Sequence, residues 1–158
     1  MKKMLKKAIL TLAMCSFVSL SYAAISVQDV NFEDQWGTTH TVSAETQWLI
    51  FSSHRDGVQW VKDSLIELEL TDLQRHNMLY VADISVMPDF IIKLFAIPKM
   101  QDLPFKVYLD KEGETTAGWP RNQEQVSVYK VVDHEFVETQ YFAGKEALKT
   151  FFQGVIAE

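Results

Sequence analysis

Apolar and polar residues alternate from residue 25 to residue 32, a period of two that predicts a β-strand. Residues 38–42 are rich in β-branched side chains and predict a second strand, joined to the first by a turn at residues 34–37. Residues 48–51 form a short continuous apolar run, which is typical of a central strand covered on both faces. The folded part of the chain is therefore expected to begin with three strands.

The period becomes that of a helix after residue 56. Val58, Val61, Leu65 and Leu68 follow one another at spacings of three and four, which predicts an amphipathic helix. Asp56 lies just before this stripe, and its carboxylate is expected to cap the helix by accepting hydrogen bonds from free N–H groups of the first turn.

The second half predicts two more helices and four more strands. Residues 78–82 predict a buried strand, and residues 89–96 predict a helix that Pro98 ends and that is apolar enough to be largely buried. Residues 105–109 predict a strand, residues 126–132 and 136–142 predict a hairpin, and residues 147–155 predict a C-terminal helix. Strand-helix-strand crossovers imply parallel pairing in the centre of the sheet, and the hairpin implies an antiparallel edge.

The first 23 residues have the pattern of a cleaved secretory signal peptide. Four lysines precede an apolar run at residues 8–20, and Ser21 and Ala23 are small residues placed for cleavage after Ala23. The run is short for a membrane span and has no basic stop after it, so no transmembrane anchor is expected. The pattern predicts a periplasmic protein with one domain at residues 24–158.

This processing would remove the single cysteine of the chain, Cys15. A cysteine-free mature chain can have no disulfide, no thiolate nucleophile and no redox dithiol. An alternative is that residues 12–15 act as a lipoprotein signal, in which case Cys15 would carry the lipid; Met14 is larger than that signal usually tolerates.

The net negative charge of the chain argues against polyanionic partners. The first 23 residues hold four of the 15 basic residues, which leaves 11 against 21 acidic ones and a formal charge of −10. Such a field repels nucleic acid and anionic lipid. An apolar content of 47% and an aromatic content of 12% are typical of a packed globular domain.

The order of elements resembles the thioredoxin fold, in the decorated form of periplasmic thiol-disulfide and peroxiredoxin-like proteins. The likeness rests on the turn at residues 34–37, on the strand, turn and helix at residues 48–60, and on residues 103–113. It implies a three-layer α/β/α domain, with a mixed central sheet flanked by helices and an N-terminal β-hairpin extension. It also implies that Leu103-Pro104 is the cis-proline of that fold.

The resemblance implies the fold but excludes the usual chemistry. The Cys-Gly-Pro-Cys site of those proteins falls on Asp56, Gly57, Val58 and Gln59, so both cysteines are absent. Thiol-disulfide exchange needs a thiolate, which neither a carboxylate nor an amide replaces. A redox-inactive protein is therefore expected.

The leading functional hypothesis is a module that binds an envelope protein or peptide. In related folds the loop at the helix start and the cis-proline loop form a groove that can pair with an extended chain. Here that groove would be formed by residues 53–59 and 102–105, and the predicted binding residues are Ser53, His54, Arg55, Asp56, Gly57, Gln59, Leu103 and Pro104.

Two other classes stay open. One is a non-thiol enzyme or small-ligand carrier that uses a pocket joining Asp56 or His54 to Trp119; the other is a structural subunit of an envelope complex, which an exposed apolar patch would favour. The four histidines are scattered without metal-ligand spacing, and no phosphate-binding glycine motif occurs, so neither a metal nor a cofactor is expected. The oligomeric state is left open.

Overall fold

The computed structural model of the protein describes residues 24–158; the predicted signal peptide and Cys15 lie outside the described residues. A seven-stranded mixed sheet runs through the domain in the order β2-β1-β5-β4-β3-β6-β7. Its strands are β1 (Asn31–Asp34), β2 (Thr39–Thr41), β3 (Trp48–Ser52), β4 (Met78–Asp83), β5 (Tyr108–Asp110), β6 (Val126–Val132) and β7 (Glu135–Phe142). The helices are α1 (Arg55–Glu67), α2 (Asp89–Ile91), α3 (Ile97–Gln101) and α4 (Lys145–Ile156), with a π-helical turn at Ile92–Ala96 and a 3₁₀ turn at Leu73–His76.

The pairing directions confirm the predicted mixed sheet. Strands β3, β4 and β5 are parallel to one another. Strand β6 lies antiparallel to β3 and to β7, and the β1–β2 hairpin lies antiparallel to β5. The predicted hairpin extension at the N-terminus and the late hairpin are therefore at the two opposite edges of the sheet.

The helices pack on one face of this sheet. Val61 and Leu65 of α1, Leu148 and Phe152 of α4, and Ile92 of the π turn bury their side chains in one core with that face. Burial of this much apolar surface is the main force that holds the helices in place.

The other face is covered differently from the predicted third layer. Within residues 24–158, an extended segment and a loop cover it, without a helix: Val27 is fully buried there, and Trp119, from the long connection between β5 and β6, is nearly so. The first predicted strand accordingly begins only at Asn31, because residues 25–30 lie across this face.

The apolar helix at residues 89–96 differs from its prediction in two respects. It continues through Pro98 to Gln101, because Ile97 donates its N–H to the carbonyl of Ile92 five residues back, and this wider turn accommodates the proline. It is also not largely buried: Ile92 and Met100 are buried in the core and Ile97 is partly buried against it, but the outer face is exposed.

The parallel strands give the sheet two ends that matter for the site. We call the end at which β3, β4 and β5 finish the carboxyl end, and the end at which they begin the amino end. In parallel sheets of this kind, functional groups gather outside the carboxyl ends of the strands.

Candidate functional site

The loop after β3 lies at the carboxyl end, where the resemblance places the active site. His54, and not Asp56 as predicted, is the N-cap of α1, with an extended backbone at φ −145° and ψ 158°. Its side chain makes no capping hydrogen bond, and Asp56 is an exposed residue of the first turn. The negative charge of Asp56 still interacts favourably with the positive, N-terminal end of the helix dipole.

The imidazole of His54 closes over the start of α1. Its ring lies edge-to-face with that of Trp60, with 5.7 Å between the ring centroids, and it lies directly against buried Gly57. The Nε2 atom of His54 is buried and has no hydrogen-bond partner among the described residues. A packed aromatic ring therefore lies against the position that corresponds to the thiol motif.

A polar network that the sequence did not predict lies at the same end. Arg121 donates to Asp83, with 3.3 Å between Nη1 and Oδ2, and its guanidinium lies 4.6 Å from the centre of the Phe51 ring. Asp110 is buried and accepts hydrogen bonds from the N–H groups of Gly113 and Thr116 at 2.8 Å each. The sequence does contain a sign of this network: Asp83 and Asp110 are each the last residue of a parallel strand, and parallel strands bring such residues to one end of the sheet.

Two of the predicted binding residues lie away from the others. Pro104 precedes β5, which is separated from β3 by β4, and it lines the same cleft as Met78, the first residue of β4. Residues 53–59 follow β3 at the carboxyl end, so roughly 15 Å or more along the strands separates the two segments. Ser53, His54, Arg55, Asp56, Gly57 and Gln59 stay together, in the short loop after β3 and the first turns of α1. Leu103 and Pro104 are at the amino end, and the predicted groove is not formed.

The predicted cis bond is also wrong, since residues 24–158 contain no cis peptide bond. The strand whose start meets the end of β3 is β6, in which Ser127 pairs with Phe51. Pro104 thus precedes a different strand from the one that the resemblance requires. The segment after it is held instead by the buried amide of Gln35, which donates to the Phe105 carbonyl at 2.9 Å and accepts from the Val107 N–H at 2.9 Å.

The amino end has two shallow clefts. One, of about 320 Å³, is lined on one side by the start of β4 and on the other by Pro104 and Lys106, with half-exposed Trp36 at its rim. The second cleft, of about 270 Å³, adjoins the first. Gln74 and Tyr108 line both clefts, and Gln74 donates a hydrogen bond to the Tyr108 hydroxyl at 2.9 Å. Neither cleft is lined by any of residues 53–59.

Asp34 and His40 form a close pair at the β1–β2 turn, with 2.7 Å between Oδ2 and Nε2. Burial by itself would raise the pKa of Asp34, but hydrogen bonds from the Thr38 N–H, His40 and the Trp36 N–H outweigh it and lower that pKa. The carboxylate thereby fixes the turn, which is a structural role.

Trp119 does not line a pocket with Asp56 or His54. Its ring lies edge-to-face with those of Phe51, Tyr129 and Phe136 at 5.2 to 5.6 Å in the core of the second face. Neither of the two clefts at the amino end is lined by Asp56, His54 or Trp119. Residues 24–158 also hold no group of three or more side chains arranged as metal ligands.

The outer face of the helix at residues 89–101, with the turn before it, carries four of the nine large apolar side chains that are exposed within residues 24–158. Val86 is 78%, Phe90 60%, Leu94 66% and Phe95 54% exposed. A contiguous patch of this kind is rare on monomeric proteins and marks sites of interaction. We call Val86, Phe90, Leu94 and Phe95 the apolar stripe; it starts at the carboxyl end, in the loop after β4.

Comparison with solved structures shows a thioredoxin-like fold. A candidate thiol:disulfide interchange protein, DsbE, from Chlorobium tepidum aligns with a TM-score of 0.54 and 14% identity over 84% of this chain and 96% of its own. A cysteine-to-serine variant of peroxiredoxin Q from Xanthomonas campestris gives a TM-score of 0.56 and 9% identity over 83% and 92%. A thioredoxin-like protein from Porphyromonas gingivalis gives 0.53 and 12% over 83% and 90%.

The likeness stops at the fold. No known protein family matches by sequence profile, and no curated protein matches by sequence. The domain therefore has a thioredoxin-like α/β fold, as the resemblance implies, and its function has to be argued from its own residues. No helix within residues 24–158 has the length and hydrophobicity to cross a bilayer.

Proposed function

We propose that the protein is a secreted, redox-inactive thioredoxin-like protein that acts in the periplasm by binding another protein. The observation that carries this proposal is the apolar stripe, whose four large side chains are more than half exposed. Exposed apolar area of this extent costs free energy in water unless a partner covers it.

The absence of thiol chemistry supports a binding role over a catalytic one. Residues 24–158 contain no cysteine, and Asp56 and Gln59 stand at the two thiol positions implied by the resemblance. Neither side chain forms a thiolate, so a substrate disulfide would meet no attacking sulfur at the helix start, and a substrate thiol would meet no disulfide to attack. The ring of His54 lies against Gly57 between these two positions.

The loop of residues 53–59 is the second element of the proposed surface. It follows β3, the stripe follows β4, and these strands are neighbours that end together, with Ser52 paired to Ala82. Exposed Arg55 and Asp56 would then flank the apolar contact, as the polar rim of an interface does.

Three experiments test the proposal. N-terminal sequencing of the protein from the periplasm should find Ala24 first, whereas an uncut Met1 or a lipidated Cys15 would contradict secretion by cleavage after Ala23. Insulin-reduction assays on the mature protein should give the rate of buffer alone.

Binding is tested with a matched pair of substitutions. Leu94→Asp places a charge on the stripe, and Ile66→Asp places one on a 44% exposed apolar position of α1. Both variants should unfold at nearly the same temperature as the parent protein. Loss of a partner from Leu94→Asp alone assigns binding to the stripe, and equal partner recovery from both refutes that assignment.

A further inference from the structure

Three residues of the stripe form a regularly spaced row with Pro98; Val86 lies in the turn before the helix, and the other three lie on the helix. Val86, Phe90, Leu94 and Pro98 follow one another every four residues and are all exposed. Ile92, midway between Phe90 and Leu94, is buried in the core. The exposed row is thus nearly symmetric about position 92, with a phenylalanine and a leucine equidistant from the centre.

Two charges beside the row, Asp89 and Lys93, are centred on position 91, one residue from the centre of the row. Asp89 and Lys93 are four residues apart, so they lie on one flank of the helix. Both are exposed, and neither forms an ion pair within the described residues. When two copies of this helix run antiparallel about position 92, the same flanks face each other, and Asp89 of each copy is level with Phe95 of the other. Lys93 of the other copy then lies two residues, or about 3 Å, further along the axis, a distance that a lysine side chain spans.

We infer that the partner covering the apolar stripe is a second copy of this chain, paired through an antiparallel, two-fold symmetric contact of residues 86–98. This inference rests on the proposed function, since it names the partner of the same surface. A two-fold contact is self-complementary, which requires one patch to hold both halves of each ion pair, and Asp89 and Lys93 meet that requirement.

The size of the patch sets the strength of the contact. Standard stable interfaces bury about 800 Å² on each partner, and four side chains with a polar flank supply less. The net charge of −10 on residues 24–158 also opposes association at low ionic strength. The dimer is therefore expected to be weak and concentration-dependent, and to strengthen when added salt screens the overall repulsion.

Sedimentation of the mature protein over a range of concentrations, at physiological ionic strength, measures this association. The parent protein should pass from monomer to dimer, and Leu94→Asp should stay monomeric while Ile66→Asp should behave as the parent does. Asp89→Lys alone and Lys93→Asp alone should each raise the dimer dissociation constant by about tenfold, since each sets like charges opposite one another twice.

The double variant, Asp89→Lys with Lys93→Asp, should restore dimerisation to within about threefold of the parent, because it re-forms both ion pairs in reversed polarity. A parent protein that stays monomeric, or a double variant no better than the single ones, overturns the self-association. If the monomeric protein still recovers a different partner through Leu94, only the self-association fails. If it recovers none, the proposed binding function fails with it.

Discussion

The Cε1 atom of His54 would lie 2.6 Å from a Cβ placed on Gly57, closer than side chains approach one another. The imidazole ring of His54 thus occupies the space at the start of α1, which is where a thioredoxin-like oxidoreductase has its thiols. The glycine is needed for the packing of the imidazole, since its backbone is helical and no unusual φ requires it.

Gly57→Ala should therefore destabilise the parent protein by about 1–2 kcal/mol, as overpacking of a filled site does. In a His54→Ala background the same substitution should stabilise by about 0.5–1 kcal/mol, because alanine is then only the better helix former. Urea unfolding of the four proteins measures the change in sign. The same effect of Gly57→Ala in both backgrounds would show that the two residues do not interact.

Gln35 should be among the most costly polar residues to replace. Its buried amide is the hydrogen-bond partner of the Phe105 carbonyl and the Val107 N–H. Gln35→Leu leaves both backbone groups without those bonds, at about 1–3 kcal/mol each. The free energy of unfolding should fall by about 2–4 kcal/mol, whereas the exposed control Gln123→Leu should change it by less than about 0.5 kcal/mol.

Low pH should reduce the stability of the folded protein partly through protonation of Asp34. The pKa of Asp34 is lower in the folded protein than its ordinary value of 3.8, so the folded state binds this proton less tightly than the unfolded state. Its contribution to stability is present above that value and is lost as the pH falls through the folded pKa.

Asp34→Asn should therefore reduce stability at neutral pH and make it depend less steeply on pH below about 4. Glu67, whose pKa Lys145 and Lys149 lower to about 2, contributes the same slope to both proteins, so their difference isolates Asp34. Parallel stability curves for the two proteins from pH 5 to strong acid, measured by urea unfolding, would contradict the assignment.

High pH should destabilise the folded protein through its buried tyrosines. Burial raises the pKa of Tyr80, whose hydroxyl lies 2.7 Å from Ser52 Oγ, and that of Tyr129, whose hydroxyl donates to the Pro120 carbonyl at 2.6 Å. Since the unfolded chain ionises near pH 10, stability should fall as the pH rises beyond that value. Tyrosinate absorbance of these residues should then appear in the same step as the loss of circular dichroism. Full ionisation of a still folded protein would contradict this.

The sequence predicted the fold better than the site. Strand β6 was predicted to the residue, because five of the seven residues at 126–132 are valine or tyrosine and turns flank the segment. The proline was misplaced, because local sequence shows that a strand follows Pro104 but not that this strand pairs with β4 and lies two positions from β3. Strand neighbours are set by long-range contacts that one sequence does not display.

The exposed stripe was missed for a related reason. Periodicity showed a helix that is apolar nearly all round, and burial is the usual consequence of that pattern. In the structure Ile92 and Met100 of this helix are buried in the core and Ile97 is partly buried against it, whereas Phe90, Leu94 and Phe95 are exposed. The excess of apolar residues over what the fold buries is therefore the signal of an interface.

Capture of partners by the tagged protein from a native envelope that also contains the untagged chain tests the central claim most directly. The mature parent protein and Ile66→Asp should recover the same partner, either a second copy of the chain or another protein, and Leu94→Asp should lose most of it while keeping its thermal midpoint. Recovery that is unchanged in Leu94→Asp would contradict the proposal that this thioredoxin-like protein acts by binding through its apolar stripe.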